Sequence, residues 1–224
     1  MNCAYVTIAT NEYFLQGAYC LYQTYLQTNS KYPFYCVVPR GLDTSNFPKL
    51  PIIYSYNINT DPSHMIKGGP YVQPGVWSKI MIWSLVQFDY LFFFDADIVM
   101  LKNCDEFFDM AIDSMEKHFS DMFCTINTDD MIVNGQIRKD LNGNWFIIRP
   151  REEFFIKYLQ YMRKGCYYES VALRQMLDQG ELHASLYWGP CPWFFHNPWW
   201  DAHTNIKYWA RPDSMEKFKK RFNL

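Results

Sequence analysis

The chain has 224 residues, of which 49% are hydrophobic and 19% aromatic, and its formal net charge is -2. This length and composition suffice for one large α/β domain and argue against extensive disorder. The slightly negative charge argues against a non-specific nucleic-acid-binding protein, which needs a surplus of Lys and Arg on one face.

The cysteines indicate a reducing compartment. There are seven, an odd number, and none forms a Cys-x-x-Cys pair, which is typical of reduced, mostly buried thiols. No apolar run approaches the roughly 18 to 20 residues of a membrane span, and the first residues lack the basic region and cleavage site of a signal peptide. We therefore expect a soluble, cytoplasmic protein, microbial or viral, or a domain cut from a longer protein.

The first predicted elements alternate between strand and helix. A β-branched strand at 5–10 precedes a helix at 12–26, in which apolar residues recur at helical spacing. Strands are predicted again at 34–38 and 50–54. This order is typical of βαβ units and of a mostly parallel sheet.

The middle of the chain combines a long loop with a helix and an apolar strand. Residues 60–75 include His64 and have no hydrophobic period, which predicts a functional loop. A helix is predicted at 76–88 and a strand at 90–94.

Helices and strands are also predicted in the second half of the chain. Helices are expected at 105–114, with Asp105 as N-cap, and at 151–163 and 169–177, and strands at 121–126 and 145–148. The tail at 188–209 is rich in Trp, Phe and Pro, and its rings either complete the core or stack on sugars. A basic final helix is predicted at 212–221.

Two carboxylates, Asp95 and Asp97, lie within the apolar run FFFDADIVML. A charge taken out of water is costly unless it is paired or bound to a metal. Open α/β sheets bind ligands beyond the carboxyl ends of their strands, and carboxylates are preferred ligands of Mg²⁺ and Mn²⁺. The pattern favours a divalent-cation site that stabilises charge on a phosphate group; the alternative is a surface turn.

Four motifs in the same order resemble the glycogenin-type retaining glycosyltransferases of family 8. They are VTIATNEY at 6–13 followed by Gly17-Ala18, WSKIMIWSL at 77–85, FDAD at 94–97 and DEFFD at 105–109. The resemblance covers residues 5–110 closely and loosens downstream, where Asn144 replaces a usual glycine and Glu169 replaces a usual aspartate.

The resemblance implies an α/β fold of the GT-A type, with a mostly parallel central sheet flanked by helices. Residues 1–224 would form a single domain, with a nucleotide-sugar half at about 1–110 and an acceptor half at about 111–224. The implied activity is metal-dependent, retaining transfer of a hexose, deoxyhexose or pentose from a UDP-sugar to a glycan or glycoprotein acceptor. The implied cofactor is Mn²⁺ or Mg²⁺.

The resemblance also assigns the site residues. The metal ligands would be Asp95, Asp97 and His196, with His203 as the alternative third ligand. The nucleotide-sugar would be bound by Thr10, Asn11, Tyr13, Lys79, Asp95 and Ala96. The chemistry would involve Glu169, Lys79 and Asn142, with Glu169 acting as a nucleophile or as a stabiliser of oxocarbenium charge.

Two other functions are compatible with the same aspartates. A metal-dependent phosphohydrolase or nucleotidyltransferase would require acidic residues at the ends of further strands, and the strands near Tyr5 and Tyr35 do not supply them. A catalytically silent sugar-binding or scaffold protein would be expected to lose Asp95 or Asp97, and both are present.

Overall fold

The computed structural model describes residues 1–56, 76–125, 131–133, 136–138, 141, 143–163, 169–187 and 195–196. The predicted loop at 60–75, Asn142, His203, the final helix and most of the aromatic tail lie outside these residues. The strands in the described part are β1 (Cys3–Ile8), β2 (Phe34–Pro39), β3 (Ile52–Ser55), β4 (Tyr90–Phe94), β5 (Val99–Met100), β6 (Met122–Thr125), β7 (Met131–Val133), β8 (Gln136–Arg138), β9 (Trp145–Ile148), β10 (Ala184–Tyr187) and β11 (Phe195–His196). The helices are α1 (Glu12–Leu26), a 3₁₀ helix (Val76–Ser84), α2 (Asp105–Lys117), α3 (Glu152–Arg163) and α4 (Glu169–Asp178).

A seven-stranded sheet organises the fold, in the order β10-β6-β9-β4-β1-β2-β3. Its strands all run in one direction except β9, which is antiparallel to both of its neighbours. The predicted mostly parallel sheet is confirmed. Two further strand pairs lie outside the main sheet, β5 with β11 and β7 with β8.

Helices cover both faces of this sheet, because the side chains of each central strand alternate between two apolar layers. In β4, Phe92 and Phe94 pack on the side of α1 and α2. Phe93 packs on the other side, in the layer that includes the 3₁₀ helix, α3 and α4. The strand is therefore apolar at every position, as the sequence shows, since neither face is open to water.

The helix predicted at 76–88 differs from the observed element, which is a 3₁₀ helix that ends at Ser84. The Ser84 hydroxyl donates to the Met81 carbonyl at 2.7 Å, and the Leu85 amide bonds the Ile82 carbonyl three residues back. Both bonds favour the tighter turn over continuation of an α-helix.

The prediction that Asp105 caps α2 is wrong, because Cys104 is the N-cap and Asp105 is the first helical residue. The Asp105 carboxylate instead accepts bonds from the Tyr5 hydroxyl at 2.8 Å, the Ser30 hydroxyl at 2.6 Å and the Lys31 amide at 2.9 Å. A buried carboxylate needs such donors when no cation pairs with it. Asp105 thus ties α2 to β1 and to the turn before β2.

The described cysteines (Cys3, Cys20, Cys36, Cys104 and Cys124) are free and buried, so the prediction of reduced thiols is confirmed for these five. Burial raises the pKa of Cys124 to about 12, and a thiol of that kind is not a nucleophile at neutral pH. No helix in the described ranges has the length and apolar character needed to cross a bilayer.

Candidate active site

The turn that carries the two aspartates begins where β4 ends. The Asp95 amide donates to the Asn144 carbonyl at 2.8 Å, and the Ile98 amide donates to the Asp95 carbonyl at 3.2 Å. The first bond holds the turn to the residue that leads into β9, and the second closes it. Asp95 and Asp97 therefore lie at the carboxyl edge of the sheet, as predicted.

Lys79 and Asp95 form an ion pair. The Lys79 ammonium lies 2.7 Å from a carboxylate oxygen of Asp95, and only 20% and 19% of the two side chains are exposed. The alternation along β4 explains the contact, because Asp95 follows Phe93 by two residues and shares its side of the sheet with the 3₁₀ helix. The structure thus brings together two predicted site residues.

Asp97 is partly buried, like Asp95, and its Oδ1 atom is buried. The pKa of Tyr13 is raised to about 12, mainly by burial and further by the negative charge of Asp97. The Tyr13 hydroxyl keeps its proton at neutral pH, as an ordinary tyrosine does, and Tyr13 lies within electrostatic range of Asp97.

The turn between β1 and α1 reaches the same edge, since β1 pairs with β4 in parallel. Asn11 is the N-cap of α1, and its side-chain oxygen accepts a bond from the Phe14 amide at 3.0 Å. Thr10 precedes it in a bend and is half-buried. Asn11 thus has a structural task as a cap, in addition to the nucleotide contact predicted for it.

The structure gives the backbone positions of two further predicted residues, His196 and Glu169. His196 pairs with Val99 across the antiparallel β5–β11 ladder, so its backbone lies beside the segment that follows Asp97. Glu169 is the first residue of α4, a helix that packs against the 3₁₀ helix bearing Lys79. Asn142 and His203 lie outside the described residues.

Helix α1 contacts the aspartate turn through Gly17, which the sequence analysis named only as part of a motif, and contacts β5 through Thr24, which no motif included. A Cβ added at Gly17 would lie 2.5 Å from the Ala96 carbonyl oxygen, so only glycine allows the observed approach. Seven residues later, the Thr24 hydroxyl accepts a bond from the Met100 amide at 3.1 Å. The sequence shows a glycine and a threonine seven positions apart in α1, but it does not show which segment they contact.

The donors at this edge fit a divalent cation. Asp95 and Asp97 supply hard carboxylate oxygens from one turn, and the strand of His196 lies beside it. Within the described part of the chain, no three side chains of His, Cys, Asp or Glu converge, and His196 is described only by its backbone.

A cavity of about 540 Å³ lies at the opposite, amino-terminal end of β4. Its lining includes Tyr90, Glu116 and Arg149. Arg149 lies 2.7 Å from Glu116 and donates to the Tyr90 hydroxyl, so these groups already satisfy one another. The candidate active site is assigned to the carboxyl edge because Asp95, Asp97 and Lys79 lie there.

Comparison with solved structures defines the fold. The galactosyltransferase LgtC, crystallised with donor and acceptor sugar analogues, superimposes with a TM-score of 0.59 at 9% identity, over 82% of this chain and 72% of LgtC. The glycosyltransferase GlyE of Streptococcus pneumoniae TIGR4 gives 0.55 at 12% identity, over 82% of this chain and 45% of GlyE. The chain has a GT-A-like fold, as predicted.

Sequence comparison shows similarity to a curated protein. Glycogenin-1 of Caenorhabditis elegans is 27% identical over 116 residues, which are 48% of this chain and 27% of the relative. The chain thus matches about a quarter of that relative's length. No protein-family model matches the chain.

Proposed function

We propose that the protein is a metal-dependent glycosyltransferase that moves a sugar from a UDP-sugar to a glycan or glycoprotein acceptor, with retention of anomeric configuration. The observation that carries the proposal is the Asp95–Asp97 turn at the carboxyl end of β4, paired with Lys79 and lying beside β11. The GT-A-like fold and the similarity to glycogenin-1 support it.

The roles proposed for the residues are those that the resemblance to the glycogenin-type enzymes implies. Asp95, Asp97 and His196 would hold Mn²⁺ or Mg²⁺, which supplies positive charge beside the leaving diphosphate. Lys79 would contribute a second positive charge from the 3₁₀ helix, held in place by its bond to Asp95. Tyr13, with Thr10 and Asn11 near it in sequence, would bind the nucleoside. Ala96 would present its backbone amide between the aspartates, since its carbonyl faces Gly17 of α1.

Retention of anomeric configuration requires one of two routes. In the first, a carboxylate of the enzyme attacks the sugar. In the second, the acceptor hydroxyl attacks on the face from which the diphosphate leaves, and the diphosphate accepts the proton of that hydroxyl. Glu169, at the start of α4, is the residue proposed for the first route or for stabilising positive charge on the sugar. Asn142 is proposed to bind donor hydroxyls.

The test is a donor screen that measures UDP release by the purified full chain, with and without Mn²⁺. We expect release from one UDP-sugar, lost when EDTA removes the cation. If no nucleotide sugar is bound or cleaved with Mn²⁺ present, the catalytic proposal is wrong and a scaffold with the same fold is favoured.

Replacing Lys79 with methionine should separate chemistry from cation binding. We expect kcat for UDP release to fall by about 100-fold, the usual effect of losing one group that stabilises developing charge. Mn²⁺ affinity should be retained or increased, because Asp95 loses a competing cation. Lys117→Met, on the exposed end of α2, is the matched control. Equal kcat values for the two variants would refute the role of Lys79.

A further inference from the structure

Helix α1 contacts the aspartate turn at its centre. Ala96 stands between the two proposed cation ligands, and its carbonyl oxygen lies where the side chain of any residue but glycine at position 17 would project. The path of the backbone between the two carboxylates is therefore set by the surface of α1.

The same helix holds the segment after the turn. Thr24 is buried, with 4% of its surface exposed, and its hydroxyl donates to the Leu21 carbonyl at 2.8 Å while accepting from the Met100 amide. A threonine hydroxyl that bonds only its own helix contributes little to stability. The bond from Met100 gives this hydroxyl a second partner, in β5.

The two edges of β5 face different neighbours. Successive residues of a strand direct their backbone groups to opposite edges. Met100 directs its amide to Thr24, so Val99 faces the other edge, where its partner in the ladder is His196. Thr24 thus holds β5 in place. The pairing of β5 with β11 then sets the position of His196, the third proposed ligand.

We propose that α1 is a positioning element of the cation site, with Gly17 setting the turn between the two aspartates and Thr24 setting β5 and, through it, the strand of His196. This inference rests on the proposed function. Neither residue touches the cation or the substrate. Their effect is on the spacing of the three ligands, which a divalent ion of strict geometry requires.

The experiment compares three variants of the full chain, with Mn²⁺ alone as the probe. Thr24→Val keeps the shape of the side chain but removes the acceptor for the Met100 amide, and Thr24→Ser keeps the hydroxyl. Thr28→Val is the matched control, because the Thr28 hydroxyl also bonds a carbonyl three residues back, that of Tyr25 at 2.7 Å. Binding is measured by calorimetry, and the Met100 amide is followed by hydrogen exchange without metal.

We expect Thr24→Val to weaken Mn²⁺ binding by about tenfold, the usual effect of disturbing a residue that supports metal ligands, and to accelerate exchange of the Met100 amide. Thr24→Ser and Thr28→Val should bind Mn²⁺ like the wild type. If Thr24→Val does not fold, Thr24→Cys, a poorer acceptor, takes its place.

The outcomes separate the two proposals. If the wild type binds Mn²⁺ and Thr24→Val binds it equally well, the positioning role is refuted while the proposed function stands. If Thr28→Val weakens binding as much as Thr24→Val, the effect is one of general stability and the inference is likewise refuted. If the wild type does not bind Mn²⁺, the cation site itself is wrong.

Discussion

Replacing Asp97 with asparagine is expected to abolish Mn²⁺-dependent binding of UDP, lowering the affinity by at least about 100-fold. The substitution keeps the shape of the side chain and removes its charge at a partly buried position, where Oδ1 is buried. The Asp97 carboxylate is proposed to bind the cation directly. Removing its charge should therefore lower the affinity more than changing a residue that only positions the ligands. The measurement is calorimetric titration of UDP with saturating Mn²⁺ and again with EDTA.

The matched control is Asp113→Asn, on the exposed surface of α2. It makes the same chemical change without approaching the site and should leave UDP binding unaltered. Melting temperatures of both variants should stay near that of the wild type. If Asp97→Asn binds UDP in a Mn²⁺-dependent manner as well as Asp113→Asn does, Asp97 is not a ligand.

Replacing Gly17 with alanine is expected to lower both stability and cation affinity. The new Cβ would lie 2.5 Å from the Ala96 carbonyl oxygen, closer than any real contact of this kind, so the turn must shift. Forcing an extra carbon into a packed position costs about 1–3 kcal/mol, against a gain of about 1 kcal/mol from the higher helix propensity of alanine. We therefore expect a net loss of stability in denaturant unfolding, with Mn²⁺ binding at least about tenfold weaker.

Gly180→Ala provides the matched control for this change. Gly180 has φ +69° and nothing within 4 Å of an added Cβ, so alanine there is strained by its backbone alone, at a cost of about 1 kcal/mol. Stability should fall, while Mn²⁺ affinity should not change. Equal Mn²⁺ affinities in the two variants would contradict the proposed contact between α1 and the turn.

The long elements with a clear period could be predicted from the sequence. The bounds of α1 and β4 were predicted correctly, because a 15-residue amphipathic helix and a five-residue apolar strand each carry many consistent residues. The strands β5, β7, β8 and β10 were not predicted. They are two to four residues long, and strands that short depend on pairing with another strand, which their own residues do not reveal.

The assignment of the site residues stays a prediction, but part of their placement could be read from the sequence. Asp95 and Asp97 could be placed at the end of a strand because the apolar run at 90–94 ends directly before them. The ion pair brings Lys79 to Asp95, while the role proposed for Lys79 stays a prediction. The support from Gly17 and Thr24 could not be predicted. It arises from the packing of α1 on the turn, and packing geometry depends on which elements become neighbours.

The reversed direction of β9 has a consequence for how this edge of the sheet can vary. In a purely parallel sheet, only the segments that leave the strands border the ligand. Because β9 runs the other way, the segment that enters it reaches the rim, and the Asn144 carbonyl there accepts the Asp95 amide. Insertions or exchanges before Trp145 would therefore reshape the rim of the candidate site, while the buried strand itself stays unaltered.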